Sequence, residues 1–310
     1  MSQQNKTTLI SKENLNYDKV LSKKKVYNMS KADKLFKQMC LDVLNNGTDT
    51  SDGNVRPIWT DTNEKAYTIK KFGIVNRYDL REEFPALTLR RTAIKSAMDE
   101  VLWIYQRKSN NIHDLKPHIW DEWADENGSI GTCYGYVIGQ KDPRKGEMKD
   151  QMDFILEEIK KNPYSRRIIT NMFIPQYLDG GHLEPCAYSM TYNVTKDKDG
   201  NKVLNAILNQ RSQDILAANN WNVVQYSLLL MMVAQVSGMI AGELIHVIAD
   251  AHIYDRHVDI IKELIQREEY PAPKVWLNPE VKNFYDFTTD DLHVEDYQTG
   301  EQIKGIPIAV

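Results

Sequence analysis

"CAYSMTYNVTKDKDGNKVLNAILNQR", residues 186–211, decides the fold. Two alternating runs, "CAYSMTYNV" and "KVLNAILNQR", flank the polar turn "TKDKDGN". Side chains two apart in a strand point the same way, so Cys186, Tyr188, Met190, Tyr192 and Val194 share one face. The reading is a pair of long strands, with Cys186 starting the first and looking toward the interior. Arg211 ends the second, next to Ser212 and Asp214.

Outward from this pair, helices and strands interleave. "KADKLFKQMCLDVLNNG" reads as a helix stopped at Gly47, and "AYTIKKFGIVNRYDL" as a strand pair. In "RRTAIKSAMDEVLWIYQ", Ile94, Ala97, Met98, Val101, Leu102 and Tyr105 fall at helical spacing, with Glu100 beside the stripe. "MKDQMDFILEEIKKN" is a further amphipathic helix and "RRIITNMFI" a strand. After the decisive stretch, no charge occurs between Asp214 and Glu243. "VVQYSLLLMMVAQVSGMIAG" has the length of a membrane span, but it carries Gln225, Ser227, Gln235 and Ser237 and no flanking basic cluster. A fully buried core helix is the better reading. A strand ("ELIHVIA"), a helix ("RHVDIIKELIQREE") and a Pro-containing tail follow. The fold class expected is α+β: one domain over residues 31–310, a mixed or antiparallel sheet flanked by helices, after a polar extension at 1–30.

Composition narrows the function. Apolar residues make up 42% and charged residues 26% of the 310, which suits a soluble globular chain with a sizeable core. The net charge of −4 gives no basic field for nucleic acid or an anionic membrane, so an anion site must use local arginines. Three cysteines (Cys40, Cys133, Cys186) are too few for a disulfide framework. The opening "MSQQNKTTLISKENLNYDKV" has no apolar signal core, which points to a cytoplasmic protein with reduced thiols.

A lone cysteine is more often packing than chemistry. The surroundings of Cys186 shift that balance. Arginines recur at strand ends, Arg166 and Arg167 in "YSRRII" and Arg211 in "NQRSQD". A guanidinium beside a hydroxyl suits a phosphate, and it favours the thiolate, the form that attacks. "IWDEWADENG" crowds two tryptophans into a turn that could wall a flat ligand. "DAHIYDRH" sets His252 and Tyr254 two apart. With no matching ligand cluster a metal is not expected there, and hydrogen bonding to a polar ligand fits better.

Together "DEVLW", "IWDEWADENG", "YSRRII", "EPC", "QRSQD", "WNVVQYSLL", "DAHIYDRH" and the terminal "PIAV" resemble the thymidylate synthase family, in order, from about residue 35 to 310. The likeness is closest to the branch in which the Pro-Cys pair is not followed by His. It implies an obligate homodimer that makes dTMP from dUMP, with 5,10-methylenetetrahydrofolate giving both one-carbon unit and hydride. By the same resemblance Cys186 is the nucleophile and Glu100 the general acid/base, with Tyr134 in the same proton network. Asn222 reads the uracil edge. The phosphate falls to Arg56, Arg211 and Ser212, with Arg166 and Arg167 reaching across the dimer; Gln210 and Asp214 also face the nucleotide. His252 and Tyr254 take the sugar 3′-hydroxyl. Ile119, Trp120, Asp214, Arg90 and the carboxylate of Val310 fall on the folate side.

The departures are Ala187 after the cysteine, Ala218 for a glycine, "NNWN" for the family's "LPFN", Arg90 for a lysine, and extra residues after Arg56. They leave the thiol, the amide and the main arginines in place. The nearest alternative is a dUMP hydroxymethyltransferase of the same superfamily, in which water replaces hydride. A non-catalytic binder of its own messenger RNA lacks a basic stripe or an RNA-binding motif. A flavin-dependent synthase lacks its arginine-histidine signature here.

Overall fold

The computed structural model describes residues 29–144 and 146–310. The extension read at 1–30 therefore lies outside the described residues, apart from Met29 and Ser30. In chain order the elements are α1 (Lys31–Asn46), β1 (Thr48–Asp49), β2 (Thr68–Asp79), α2 (Ile94–Val101), α3 (Gly135–Gly139) and a hairpin of β3 (Asp142–Arg144) and β4 (Glu147–Lys149). Next come α4 (Gln151–Lys161), β5 (Ile169–Asn171), α5 (Pro175–Leu178), β6 (Ala187–Lys196), β7 (Lys202–Gln210) and β8 (Gln213–Asp214). Then follow α6 (Asn219–Val236), β9 (Ile240–Tyr254), α7 (Val258–Leu264) and a hairpin of β10 (Lys274–Leu277) and β11 (Leu292–Glu295).

The 186–211 stretch forms the hairpin of β6 and β7, antiparallel from Ala187 opposite Gln210 to Lys196 opposite Lys202. Its turn closes on Asp197, whose Oδ1 accepts from the backbone of Asp199 (2.9 Å) and Asn201 (2.8 Å), with Gly200 at φ +86°. The face assignment holds for Met190, Tyr192 and Val194, which are buried. It fails nearer the start. A bulge between Ala187 and Ser189 shifts the register, so Ala187 and Ser189 are buried and Tyr188 only half-buried. Cys186 sits just before the strand rather than in it.

The sheet has seven strands in the order β1-β2-β9-β7-β6-β5, with β8 also on β9. It is mixed: β7 and β8 run parallel to β9, and the other pairs are antiparallel. Parallel neighbours need a long crossover, and α6 supplies it. No residue of α6 is exposed, so its lack of a polar face is that of a helix enclosed in the core. Among the described residues no helix is long and apolar enough to cross a membrane. α6 ends in a Schellman arrangement. Met239 N donates to Ala234 O (2.9 Å) and Gly238 N to Gln235 O (3.0 Å), with Gly238 at φ +65°.

Other segments differ in detail from the sequence reading. The strand pair expected at 66–80 is one continuous strand, β2, paired with β9 from Thr68 opposite Tyr254 to Asp79 opposite Glu243. Gly73 at φ +77° interrupts its alternation without breaking the register. The helix expected from Arg90 starts at Ile94, after Ala93 in a non-helical conformation (ψ 78°). Arg90 donates to Leu216 O, and Thr92 N to the Tyr297 hydroxyl at 3.0 Å. The helix finishes in a π-helical turn, Leu102–Gln106. The strand expected at 166–174 shrinks to β5, since Arg166 and Arg167 lie in a turn. The helix expected at 256–269 shortens to α7 after a 3₁₀ turn at Asp255–His257.

Replacing Leu229, fully buried on α6, with alanine is expected to lower stability by about 2–5 kcal/mol through transfer and cavity terms. Urea unfolding measures it; an unchanged midpoint would contradict the enclosed placement of α6.

Candidate active site

The carboxyl ends of β7, β8 and β9 meet the start of β6 at one side of the sheet. There the chain forms a cavity of about 730 Å³, a size that suits small-molecule binding. Its lining includes Cys186, Glu100, Tyr134, Asn222, Arg56, Gln210, Arg211, Ser212, Asp214, His252, Tyr254, Ile119, Trp120 and Val310. Of the residues singled out in the sequence, only Arg90, Arg166 and Arg167 do not line it. Arg166 and Arg167 are exposed in the turn before β5. Arg90 is buried behind the Leu216 carbonyl, and burial lowers its pKa.

Cys186 is held by its neighbours on both sides. Its backbone N–H donates to the Tyr134 hydroxyl (3.2 Å), and its carbonyl accepts from Arg211 N (2.9 Å). The Arg211 guanidinium grips the preceding carbonyls, Nη2 to Glu184 O (2.7 Å) and Nε to Pro185 O (3.1 Å). Burial pushes the Cys186 thiol up, while the charges of Arg211 and Arg56 pull it back. Two cations are thus placed to favour a thiolate. Tyr134 carries φ +46°, a left-handed backbone rare for a tyrosine, as it enters α3.

Glu100, on α2, is buried against α6. Read alone, its place in the sequence suits a surface position with a lysine partner. In the fold its partners are two indoles. Trp120 Nε1 donates to Oε1 at 2.8 Å, and Trp221 Nε1 donates to Oε2. Burial pushes its carboxyl up to about 7, only partly offset by hydrogen bonds from Trp221, Trp120 and Gln225. A carboxyl that titrates near neutrality can both give and take a proton.

Asn222 lies one turn into α6. Its Oδ1 accepts from Gln210 Nε2 (3.1 Å), and its Nδ2 donates to Gln225 Oε1 (3.2 Å). Each end of the carboxamide keeps one hydrogen-bonding valence free. His252 Nδ1 is 2.9 Å from Asp250 Oδ1, and its ring meets Tyr254 edge-on. Asp214 accepts from the backbone of Leu216 (2.9 Å) and Ala217 (3.0 Å). Burial would raise its pKa, but His257, with Nδ1 3.6 Å from Asp214 Oδ1, and the charge of His252 outweigh it and hold the carboxyl low. His257 also bonds to Pro307 O at 2.9 Å.

The residues beyond Arg56 form a small structure of their own. Ile58 pairs with Lys65 across a turn, and Arg256 stacks on Trp59 (4.6 Å) while bonding Asp61 and Thr62. This loop pairs with the tail: Ile58 N donates to Val310 O (2.9 Å) and Val310 N to Ile58 O (3.0 Å). Arg56 and Val310 therefore reach the cavity together.

Trp221, Gln225, Ile58 and His257 belong to the site although the sequence did not single them out. Gln225 had a signal, since it lies three residues after Asn222 on one helix face. Trp221 had none, because its indole reaches across to another helix.

The family model described as thymidylate synthase matches residues 34–310. Thymidylate synthase 1 of Bacillus subtilis strain 168 is 40% identical over 279 residues, 89% of this chain and 98% of that protein. The thymidylate synthase of Bacillus phage phi3T is 39% identical over 279 residues, with the same coverage of each chain. The solved structure of thermostable thymidylate synthase A from Bacillus subtilis superposes with a TM-score of 0.83 at 40% identity, covering 90% of this chain and 99% of that one.

The raised carboxyl of Glu100 has a stability consequence. The folded state holds its proton above the ordinary value of 4.5, so the stabilisation is complete below pH 4.5 and is lost as pH rises through about 7. Glu100→Gln does not titrate. Its urea midpoint is expected to climb relative to the unaltered protein between pH 4.5 and 8, on top of any constant offset. A difference independent of pH would contradict the buried, titrating carboxyl.

Proposed function

The chain belongs to the thymidylate synthase family, methyltransferases of dTMP synthesis, and we propose that it methylates dUMP reductively, with 5,10-methylenetetrahydrofolate becoming dihydrofolate. The convergence of Cys186, Asn222, Glu100 and Arg211 on one cavity carries this reading. The thiolate of Cys186 adds to C6 of the uracil, and the ring electrons move toward O4. The Asn222 amide donates to O4 and accepts from N3–H, which spreads the new charge. Carbon 5 thereby becomes nucleophilic. Glu100, with Tyr134 beside it, handles the proton that must leave C5. The folate supplies the one-carbon unit and then hydride, after which the C6–S bond breaks to release dTMP and return the Cys186 thiolate.

Arg56, Arg211 and Ser212 bind the phosphate, with Gln210 and Asp214 on the same side of the nucleotide. His252 and Tyr254 take the 3′-hydroxyl. Trp120 and Ile119 wall the folate, Asp214 anchors its pterin, and Val310 closes over it. Arg90 serves the folate side by holding the Leu216 carbonyl. No metal takes part. Residues 31–310 act as one catalytic domain after the 1–30 extension, in the cytoplasm, with neither membrane nor nucleic acid as partner.

The working form is a homodimer in which Arg166 and Arg167 reach the phosphate site of the partner subunit. Their exposure outside their own cavity supports this. So does the sheet face beside them. The register sets Ile169, Thr191, Ile207, Ile245 and Arg77 directly opposite one another across five strands, hence on one face, and Ile169 and Ile207 are exposed there.

Incubation with dUMP and methylenetetrahydrofolate is expected to raise the absorbance of dihydrofolate and to yield dTMP by mass spectrometry. Cys186→Ala is expected to abolish product, a loss of at least about 10³-fold for a missing nucleophile, while dUMP binding survives. Hydroxymethyl-dUMP without dihydrofolate would replace this reading with the hydroxymethyltransferase.

A further inference from the structure

His246 is a polar residue in an apolar row. On β9 it points inward between Leu244 and Ile248, and it is fully buried. It does not line the cavity. Its Nε2 lies 2.8 Å from Gln210 Oε1. From there a line of amides runs to the site, and its direction can be read from one fixed point. Gln210 has an atom 3.0 Å from the backbone carbonyl of Ser212, which can only accept. That atom must be the amide nitrogen. Its second hydrogen then goes to Asn222 Oδ1 (3.1 Å), and Asn222 Nδ2 donates to Gln225 Oε1 (3.2 Å). At the other end, Gln210 Oε1 needs a donor, and His246 Nε2 is the group beside it. Among the described residues His246 Nδ1 has no hydrogen-bond partner, so a proton there would be an orphaned buried donor.

The direction of this line matters for base choice. Uracil offers an acceptor at O4 and a donor at N3. Cytosine offers a donor at N4 and an acceptor at N3. A carboxamide turned over by half a turn exchanges its donor and acceptor ends, and so would exchange the base it fits. Turning Asn222 over sets its NH₂ against the NH₂ of Gln210 and its oxygen against that of Gln225. That conflict persists while Gln210 itself cannot turn, and two contacts hold it: the Ser212 carbonyl at its nitrogen and His246 at its oxygen.

We propose that His246 is a positioning residue for base specificity: its Nε2–H holds Gln210, and through Gln210 the Asn222 amide, in the one direction that accepts uracil and rejects cytosine. This rests on the dUMP reading and extends it to a residue outside the cavity. Burial, which drives the imidazole pKa down to about 3, keeps the ring neutral with a single N–H to give. Without that donor, Gln210 Oε1 is a buried acceptor lacking its partner, and the amide has reason to rotate toward another.

The test compares equilibrium binding of dUMP and dCMP, by calorimetry, to the unaltered protein, His246→Phe and His246→Gln. Phenylalanine fills the space without a donor, and glutamine restores an N–H. His246→Phe is expected to shrink the preference for dUMP over dCMP by about tenfold, the worth of one hydrogen bond, and His246→Gln to recover most of it. Equal weakening of both nucleotides in His246→Phe would mean a structural role only and would overturn the proposal. An unaltered protein that binds neither nucleotide would refute the dUMP reading instead. Nitrogen-15 spectra of the unaltered protein decide the bond itself, whatever becomes of the variants: His246 is expected protonated at Nε2 and bare at Nδ1, and the opposite tautomer overturns the proposal.

Discussion

The parallel pairing of β7 with β9 is the constraint on which the rest depends. Two strands side by side in the same direction cannot be joined by a tight turn. The chain must leave β7 at Gln210 and reach the start of β9 at Ile240 by a long crossover. That connection is Arg211, Ser212, the short β8 and the enclosed helix α6, and it holds much of the cavity lining. The sheet thus determines which side of the molecule can be hollow. Because β6 is antiparallel to β7, its first residue falls at the same edge, which brings Cys186 to the cavity from the other direction.

Within the cavity, function depends on few charges and much burial. Glu100 has two indole N–H groups and an amide for company and no cation, so its proton affinity is governed by desolvation. Asp214, half-buried, has His257 beside it and stays ionised. Two carboxyls in one pocket are thereby driven toward opposite protonation states, the arrangement that lets one group trade protons while another holds a fixed charge. Cys186 lies between these extremes, raised by burial and lowered by Arg211 and Arg56.

Much of this was legible in the sequence because it is periodic or local. The 186–211 alternation gave the hairpin, the charge-free run gave the core helix, and ordered motifs gathered most of the cavity lining. What escaped was non-local. The bulge that turns Ser189 inward depends on pairing with β7, and a pattern read on one strand does not contain it. Just before α2, the backbone N–H of Thr92 goes to the Tyr297 hydroxyl, a partner 205 positions away. Trp221 reaches Glu100 across 121 positions. His246 stood in plain view as a histidine at an inward, apolar position, but the reason for it lies on the neighbouring strand.

The enclosure of α6 has a mechanical consequence. A helix with one wet side can absorb a change in its packing by rolling slightly toward solvent. α6 has no fully wet side and opens mainly on the cavity at its first two turns, so a volume change near Leu230 or Val233 is passed along the helix axis. Asn222 and Gln225 ride on the same rod, two turns upstream of that core. Bulk in the far core therefore acts on the Asn222 amide as a pushrod acts on a valve, and the geometry of the cavity end is set in part by side chains that do not line it.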